Sequence, residues 1–164
     1  MAEITLRGNP IHTVGELPAI GSKPTFTVTG GALQDVTNND FAGSRLVINI
    51  FPSVDTPTCA ASVRRFNVLA SGMDNAKVLN VSADLPFAQG RFCGAEGLEN
   101  VQNGSSFRSS FGSDFGVAMS DGPLNGLLGR AVVILDEDGA VTYTQLVPEI
   151  AQEPDYEAAL AALK

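Results

Sequence analysis

The stretch RLVINIF, from Arg45 to Phe51, constrains the fold of this chain more than any other. It is almost unbroken apolar sequence, closed on one side by Gly43 and on the other by Pro52. A strand with one wet face alternates apolar and polar residues, so a run of this kind predicts a strand covered on both faces. KVLNVSA, from Lys77 to Ala83, predicts a second such strand. Between them Val63, Phe66 and Ala70 recur at helical spacing and predict a helix from Pro57 to Ala70, with Arg64 and Arg65 to its side.

The flanking sequence fits the same layered plan. ITLRGNPIHTVG alternates around Gly8-Asn9-Pro10 and predicts an N-terminal hairpin within residues 1–20. The linker GELPAIGSKP leads to a strand at TFTVTG, and DVTNNDFAG offers turn and capping chemistry. PFAQGRFCGAEG predicts a short helix opening at Pro86, a residue suited to the first helical position. From Gly104 to Gly116 the chain is rich in Ser and Gly, with Phe107, Phe111 and Phe115 expected to pin a short element to the core. RAVVILDEDGAVTYTQLV predicts two strands around an acidic turn, and EPDYEAALAALK a last helix whose terminal Lys164 favours its dipole. This order predicts an α/β thioredoxin-like fold, a mixed central sheet flanked by helices, with an N-terminal β-hairpin extension. Residues 1–164 read as one domain.

Composition removes several functional classes. An apolar fraction of 44% and a charged fraction of 17% suit a globular protein. No run reaches the roughly 18 apolar residues of a membrane span, and no secretory signal is visible, so a cytoplasmic setting is expected. Eighteen acidic against ten basic residues give a net charge of −8, opposite to the basic footprint of a nucleic-acid binder. His12 is the single histidine and is expected at the surface of the hairpin; a zinc site with two cysteines would still lack a ligand. Asp136 to Asp138 lacks calcium-loop spacing. Two cysteines are too few for a disulfide scaffold.

Cys59 has a telling position. Thr56 is a good cap and Pro57 a good first helical residue, which puts Cys59 at the third. Unpaired N–H groups and the positive end of the helix dipole favour a thiolate there. Placement alone leaves two readings open, a small buried hydrophobe or a nucleophile.

Pro52, Thr56 and Cys59 match P-x-x-x-T-x-x-C, the motif of the peroxiredoxins. SADLPFAQGRFCGAEG, from Ser82 to Gly97, resembles the corresponding segment of the bacterial thiol peroxidases, the atypical two-cysteine branch. GPLNGLLGRAVVILD and LVPEIAQEPDYEAALAAL are similar to that family's late strand and last helix. The resemblance implies that Cys59 is the peroxidatic nucleophile, attacking a hydroperoxide and becoming a sulfenic acid. Pro52 shields the thiolate, Thr56 supplies a hydroxyl, and Arg130, at the start of a late strand, supplies the cation. Cys93 is implied to be the resolving cysteine, closing an intramolecular disulfide with Cys59 that thioredoxin reduces. A homodimer is implied as well, with no cofactor and no metal. In the reduced form the two thiols are expected to lie apart, with local unwinding on oxidation. Arg64 and Arg65 are read as solvated helix charges. Three other readings stand beside this one: a redox sensor, a one-cysteine peroxidase if Cys93 is too far away, and a disulfide oxidoreductase. The last lacks a C-x-x-C, since Thr56 occupies the position three before Cys59.

Overall fold

A computed structural model describes residues 1–163. The charge expected at the end of the last helix, Lys164, lies outside the described residues. Strands β1 (Glu3–Leu6) and β2 (Asn9–His12) form the expected antiparallel hairpin. Its turn falls one residue earlier than the sequence suggested. Arg7 (φ 51°) and Gly8 (φ 83°) make the turn, and Asn9 and Pro10 belong to β2. A two-residue connection with positive φ at both positions matches strand twist better than a proline-bearing one.

The main sheet is built from β3 (Thr27–Thr29), β4 (Asp35–Thr37), β5 (Arg45–Ile50), β6 (Ala76–Ser82), β7 (Gln102–Ser105), β8 (Ala131–Leu135) and β9 (Val141–Leu146). Their spatial order is β4-β3-β7-β6-β5-β8-β9. β5, β6 and β7 run parallel, with Val47 opposite Val78 and Asn80 opposite Asn103, and the outer pairings are antiparallel. The two runs read as buried strands, β5 and β6, therefore lie well inside the sheet, where both faces must be covered. β4 and β7 were not anticipated. DVT and QNGS are short and polar, and they become strands by pairing rather than by pattern.

One face is covered by α1 (Pro57–Ala70) and α4 (Tyr156–Ala162), where Phe66 and Ala159 meet Val47, Val78, Val132 and Ile134. The other face carries Leu46, Ile48, Ile50, Leu79 and Val81, and is covered by aromatics rather than by a long helix. Phe41 comes from a short 3₁₀ turn (Asn38–Phe41), and Phe111 and Phe115 from the four-residue α3 (Phe111–Asp114) and its end. Phe111 and Phe115 are fully buried and stacked 4.2 Å apart, with Phe26 edge-on to both. Phe107 does not join them; it is 45% exposed with Arg108 over its ring. α3 begins only at Phe111, so the four-residue spacing has no helix to carry it back to Phe107.

α2 (Pro86–Glu96) follows β6 directly. It is closed by Gly97 in the left-handed region at φ 67°, which a side chain would strain. Cys59 thus lies just beyond the carboxyl end of β5, and the segment leading to Cys93 just beyond that of its parallel neighbour β6. Open α/β sheets build their sites at that edge.

Candidate active site

β5 stops at Ile50 because Pro52 cannot donate to a ladder, and the chain turns through Ser53–Thr56 into α1. Pro57 occupies the first helical position and Cys59 the third, as expected. Thr56 is the N-cap residue, and its carbonyl accepts the first helical bond from Ala60 N–H at 2.9 Å. Its hydroxyl does not cap the helix. It donates to Ser53 O at 3.0 Å, because the backbone folds Ser53 under it and Ser53 O also accepts Thr56 N–H at 3.2 Å. The N–H groups of Thr58 and Cys59 fall in the turn where an α-helix has no internal acceptor.

Cys59 is fully buried among Phe51, Val54 and Val63. The guanidinium of Arg130, only 2% exposed, reaches it from the start of β8. Arg130 Nη2 donates to Cys59 Sγ at 3.2 Å, and Nε donates to Ile150 O at 2.8 Å. Nη1 is buried with no partner among the described residues. A buried unpaired guanidinium nitrogen is costly, so this donor is held ready for an acceptor the protein does not supply.

A cavity of about 410 Å³ opens beside these groups. Pro52, Thr56 and Arg130 form part of its wall, with Leu124, Leu127 and Ile150 supplying apolar surface. The sequence-predicted residues Pro52, Thr56, Cys59 and Arg130 are therefore gathered at one place.

Cys93 lies in α2, half-buried against the same apolar cluster that holds Cys59. The two cysteines are free, so the implied disulfide is not formed in this structure. Each sulfur has its own polar partner. Cys59 has Arg130, whereas Cys93 Sγ accepts from Asn103 Nδ2 at 3.2 Å. Burial pushes the Cys93 thiol pKa up, and the Asn103 bond pulls against that.

Several supporting residues were not visible in the sequence. The Asp84 carboxylate accepts Ser53 Oγ at 2.6 Å, Val54 N–H at 2.8 Å and Ser82 Oγ at 2.7 Å. It ties the Cys59 loop to the chain that opens α2. Gln89, 1% exposed, donates to Ser82 Oγ and Gly104 O, both at 3.0 Å. Behind Ile150, the Glu149 carboxylate accepts Ala151 N–H and Gly8 N–H at 2.9 Å each. Those N–H bonds hold its pKa down at about 2. The one available signal was a cluster of polar residues at the end of an apolar strand, Ser82 and Asp84.

The remaining candidates stay outside the site. Arg64 pairs with Glu96 and lies over Phe92, and Arg65 lies over Tyr156. His12 bridges Asp121 at 2.7 Å and Glu3 at 3.2 Å. Among the described residues no cluster of His, Cys, Asp or Glu could hold a metal ion, and no helix is long and apolar enough to cross a membrane.

Known proteins resemble this chain closely. A family model described as Redoxin matches residues 19–160. Thiol peroxidase of Mycobacterium tuberculosis is 63% identical over 164 residues, covering 99% of both chains. Thiol peroxidase of Corynebacterium glutamicum is 54% identical with the same coverage. Among solved structures, a peroxiredoxin-like protein from Aquifex aeolicus superposes with a TM-score of 0.91 at 38% identity, covering 99% of this chain and 96% of that one.

Proposed function

As a member of the redoxin family with thiol peroxidases among its near relatives, this chain is a thiol-dependent peroxidase, and we propose that it reduces hydrogen peroxide and organic hydroperoxides through Cys59. The observation that carries the assignment of roles is Arg130, with one nitrogen on Cys59 Sγ and another buried without a partner.

The steps follow from where protons and donors lie. The Cys59 thiolate attacks the terminal oxygen of the hydroperoxide; an S–O bond forms and the O–O bond breaks. Charge moves onto the departing oxygen, and the free Nη1 of Arg130 is placed to receive it. Protonation of that oxygen gives water or an alcohol and leaves Cys59 as a sulfenic acid. Thr56 has committed its proton to Ser53 O, so its oxygen is left as an acceptor that orients the hydroperoxide O–H. Pro52 closes the wall and limits water. Because Cys59 is fully buried, that wall has to open slightly for each peroxide to reach the sulfur.

In the second half, the Cys93 thiolate attacks the sulfenic sulfur. The S–O bond breaks, hydroxide leaves and is protonated to water, and a Cys59–Cys93 disulfide forms. A dithiol of the thioredoxin type returns both thiols and is itself oxidised to a disulfide. Both cysteines packing against one apolar cluster supports an intramolecular partnership, while their separate partners mean that each must be released first. A cytoplasmic homodimer engaged in antioxidant defence completes the proposal.

One equivalent of peroxide added to reduced protein should remove two hydrogens by intact mass. With thioredoxin, its reductase and NADPH, turnover should then be sustained. Cys59→Ser should abolish peroxide reaction, and Cys93→Ser should stop at one sulfenic acid per chain. Disulfide formation without sustained NADPH use would instead indicate a sensor, and unchanged cycling in Cys93→Ser would remove Cys93 from the mechanism.

A further inference from the structure

Three asparagines stand side by side across the parallel centre of the sheet. Asn49 of β5 lies opposite Asn80 of β6, which lies opposite Asn103 of β7. Asn49 and Asn80 are 0% and 1% exposed, inside runs that are otherwise apolar. Amides in such places need partners, and these find one another. Asn49 Nδ2 donates to Asn80 Oδ1 at 3.0 Å, Asn80 Nδ2 donates to Asn103 Oδ1 at 3.3 Å, and Asn103 Nδ2 donates to Cys93 Sγ at 3.2 Å. At the other end, Asn49 Nδ2 also donates to Ser62 Oγ at 3.3 Å, and Ser62 Oγ donates to Cys59 O at 2.8 Å.

The chain of bonds has one direction. Ser62 spends its proton on the Cys59 carbonyl, so its oxygen must accept from Asn49. Asn49 turns its NH₂ toward both Ser62 and Asn80, which leaves Asn49 Oδ1 buried without a partner. Each amide then fixes the next, and the last brings its N–H to the sulfur at 3.2 Å, while its Oδ1, already accepting from Asn80 Nδ2, lies farther off at 3.7 Å as an acceptor for the protonated thiol. The orphaned acceptor is the cost of holding that direction.

We propose that this asparagine ladder is a device for the resolving thiol, in which Asn103 touches Cys93 Sγ as a donor and favours its thiolate, while Asn80 and Asn49 are positioning residues that keep Asn103 facing that way. A half-buried thiol is otherwise biased toward its protonated, unreactive form. Of the ionisable groups on the elements around Cys93, Arg64 of α1 is paired with Glu96 of α2, Arg91 of α2 is paired with Asp55, and Cys59 shares its apolar cluster. None of them donates to Cys93 Sγ among the described residues, which leaves Asn103 as its polar partner. The role in disulfide closure rests on the function proposed above. The donor on the sulfur does not, and it can be tested without peroxide.

The test is the pH profile of alkylation at Cys93 in a Cys59→Ser background, read with iodoacetamide by intact mass. Asn103→Asp replaces the donor by an anionic acceptor and should move the midpoint up by about one pH unit, with alkylation roughly tenfold slower below it. Asn103→Leu should move it up by less. Asn80→Val, which never touches the sulfur, should move it the same way by freeing the Asn103 amide to rotate. A merely structural role predicts something else: lower thermal stability and faster alkylation as the thiol becomes exposed. Unchanged midpoints in both Asn103 variants would overturn the proposal, and Asn103→Asp alone decides if Asn80→Val fails to fold. In the two-cysteine protein, Asn103→Asp should slow disulfide closure about tenfold at pH 7 and leave the first oxidation of Cys59 unchanged. Wild-type protein that never closes the disulfide would refute the resolving step, whereas the alkylation profile would still judge the ladder.

Discussion

Replacing Arg130 should separate catalysis from stability more cleanly than any other change at this site. Arg130→Met keeps the length and apolar stem but removes three donor nitrogens: one on Cys59 Sγ, one on Ile150 O and one aimed at no protein atom. Losing a preorganised donor to developing negative charge costs about 10²–10³ in rate. Losing the charge-assisted bond to the sulfur adds about 1.5 kcal/mol or more, about another tenfold. The second-order rate with hydrogen peroxide should therefore fall by about 10³–10⁴, read by competition against a peroxidase of known rate. Arg130→Lys offers one compact cation that cannot serve three positions, so it should recover only about tenfold of the loss. Stability should move little. The Ile150 carbonyl loses its donor, but a buried charge and a buried unpaired nitrogen vanish with it, and such replacements leave stability within about 1–2 kcal/mol. Urea unfolding checks this second half. A rate loss below tenfold in Arg130→Met, or a loss matched by a comparable fall in folded fraction, would refute the argument that Nη1 is held for substrate.

Two further outcomes test the scaffold. Phe111→Ala removes a fully buried ring from a stacked pair and should cost about 3–5 kcal/mol in urea unfolding, whereas Phe107→Ala should stay within about 0.5 kcal/mol because that ring is half in solvent. The hairpin clamp should show the pH dependence of a raised histidine. The Asp121 carboxylate holds the His12 pKa above its ordinary 6.5, and His12 in turn holds Asp121 below its ordinary 3.8. The histidine contribution is thus complete below 6.5 and is lost as pH rises through its higher folded value. The aspartate contribution is present above 3.8 and is lost as pH falls through its lower one. The stability difference between wild type and His12→Gln should be greatest between about pH 4 and 6.5 and should shrink as pH rises above that window. An equal difference at both ends would show that the clamp is not ionic.

What could be read from the sequence was what lies within one element. The apolar run Arg45 to Phe51 and the helical spacing of Val63, Phe66 and Ala70 carry their own periodicity, and β5 and α1 appear where that periodicity places them. Pro57 and Cys59 at a helix start are legible for the same reason. Arg130 was harder. Nothing near it in sequence indicates that the start of β8 lies beside the start of α1, and only the resemblance supplied it. Strands β4 and β7 were missed because three or four polar residues have no pattern apart from the neighbour they pair with.

The polar contacts that hold the site were beyond reach for a related reason. Asn49 and Asn80 read as interruptions in apolar runs, and Asn103 as part of a polar loop. They become one object only once β5, β6 and β7 are parallel neighbours in a register that puts all three side by side. Ser53 meets Asp84 under the same condition, since both lie past the carboxyl ends of adjacent parallel strands. A one-residue slip in either pairing would turn the asparagines to opposite faces, break the ladder and bury unpaired amides. The ladder therefore specifies the register as well as acting on Cys93. It follows that replacing Asn49, Asn80 and Asn103 together by valine should be better tolerated in stability than replacing Asn80 alone, which takes a partner from the buried Asn49 amide and from the half-buried Asn103 amide. The triple variant would nevertheless lose the donor on Cys93. Fold and resolving chemistry would then separate in one protein, with its unfolding midpoint reporting the first and the alkylation profile of its remaining thiol the second.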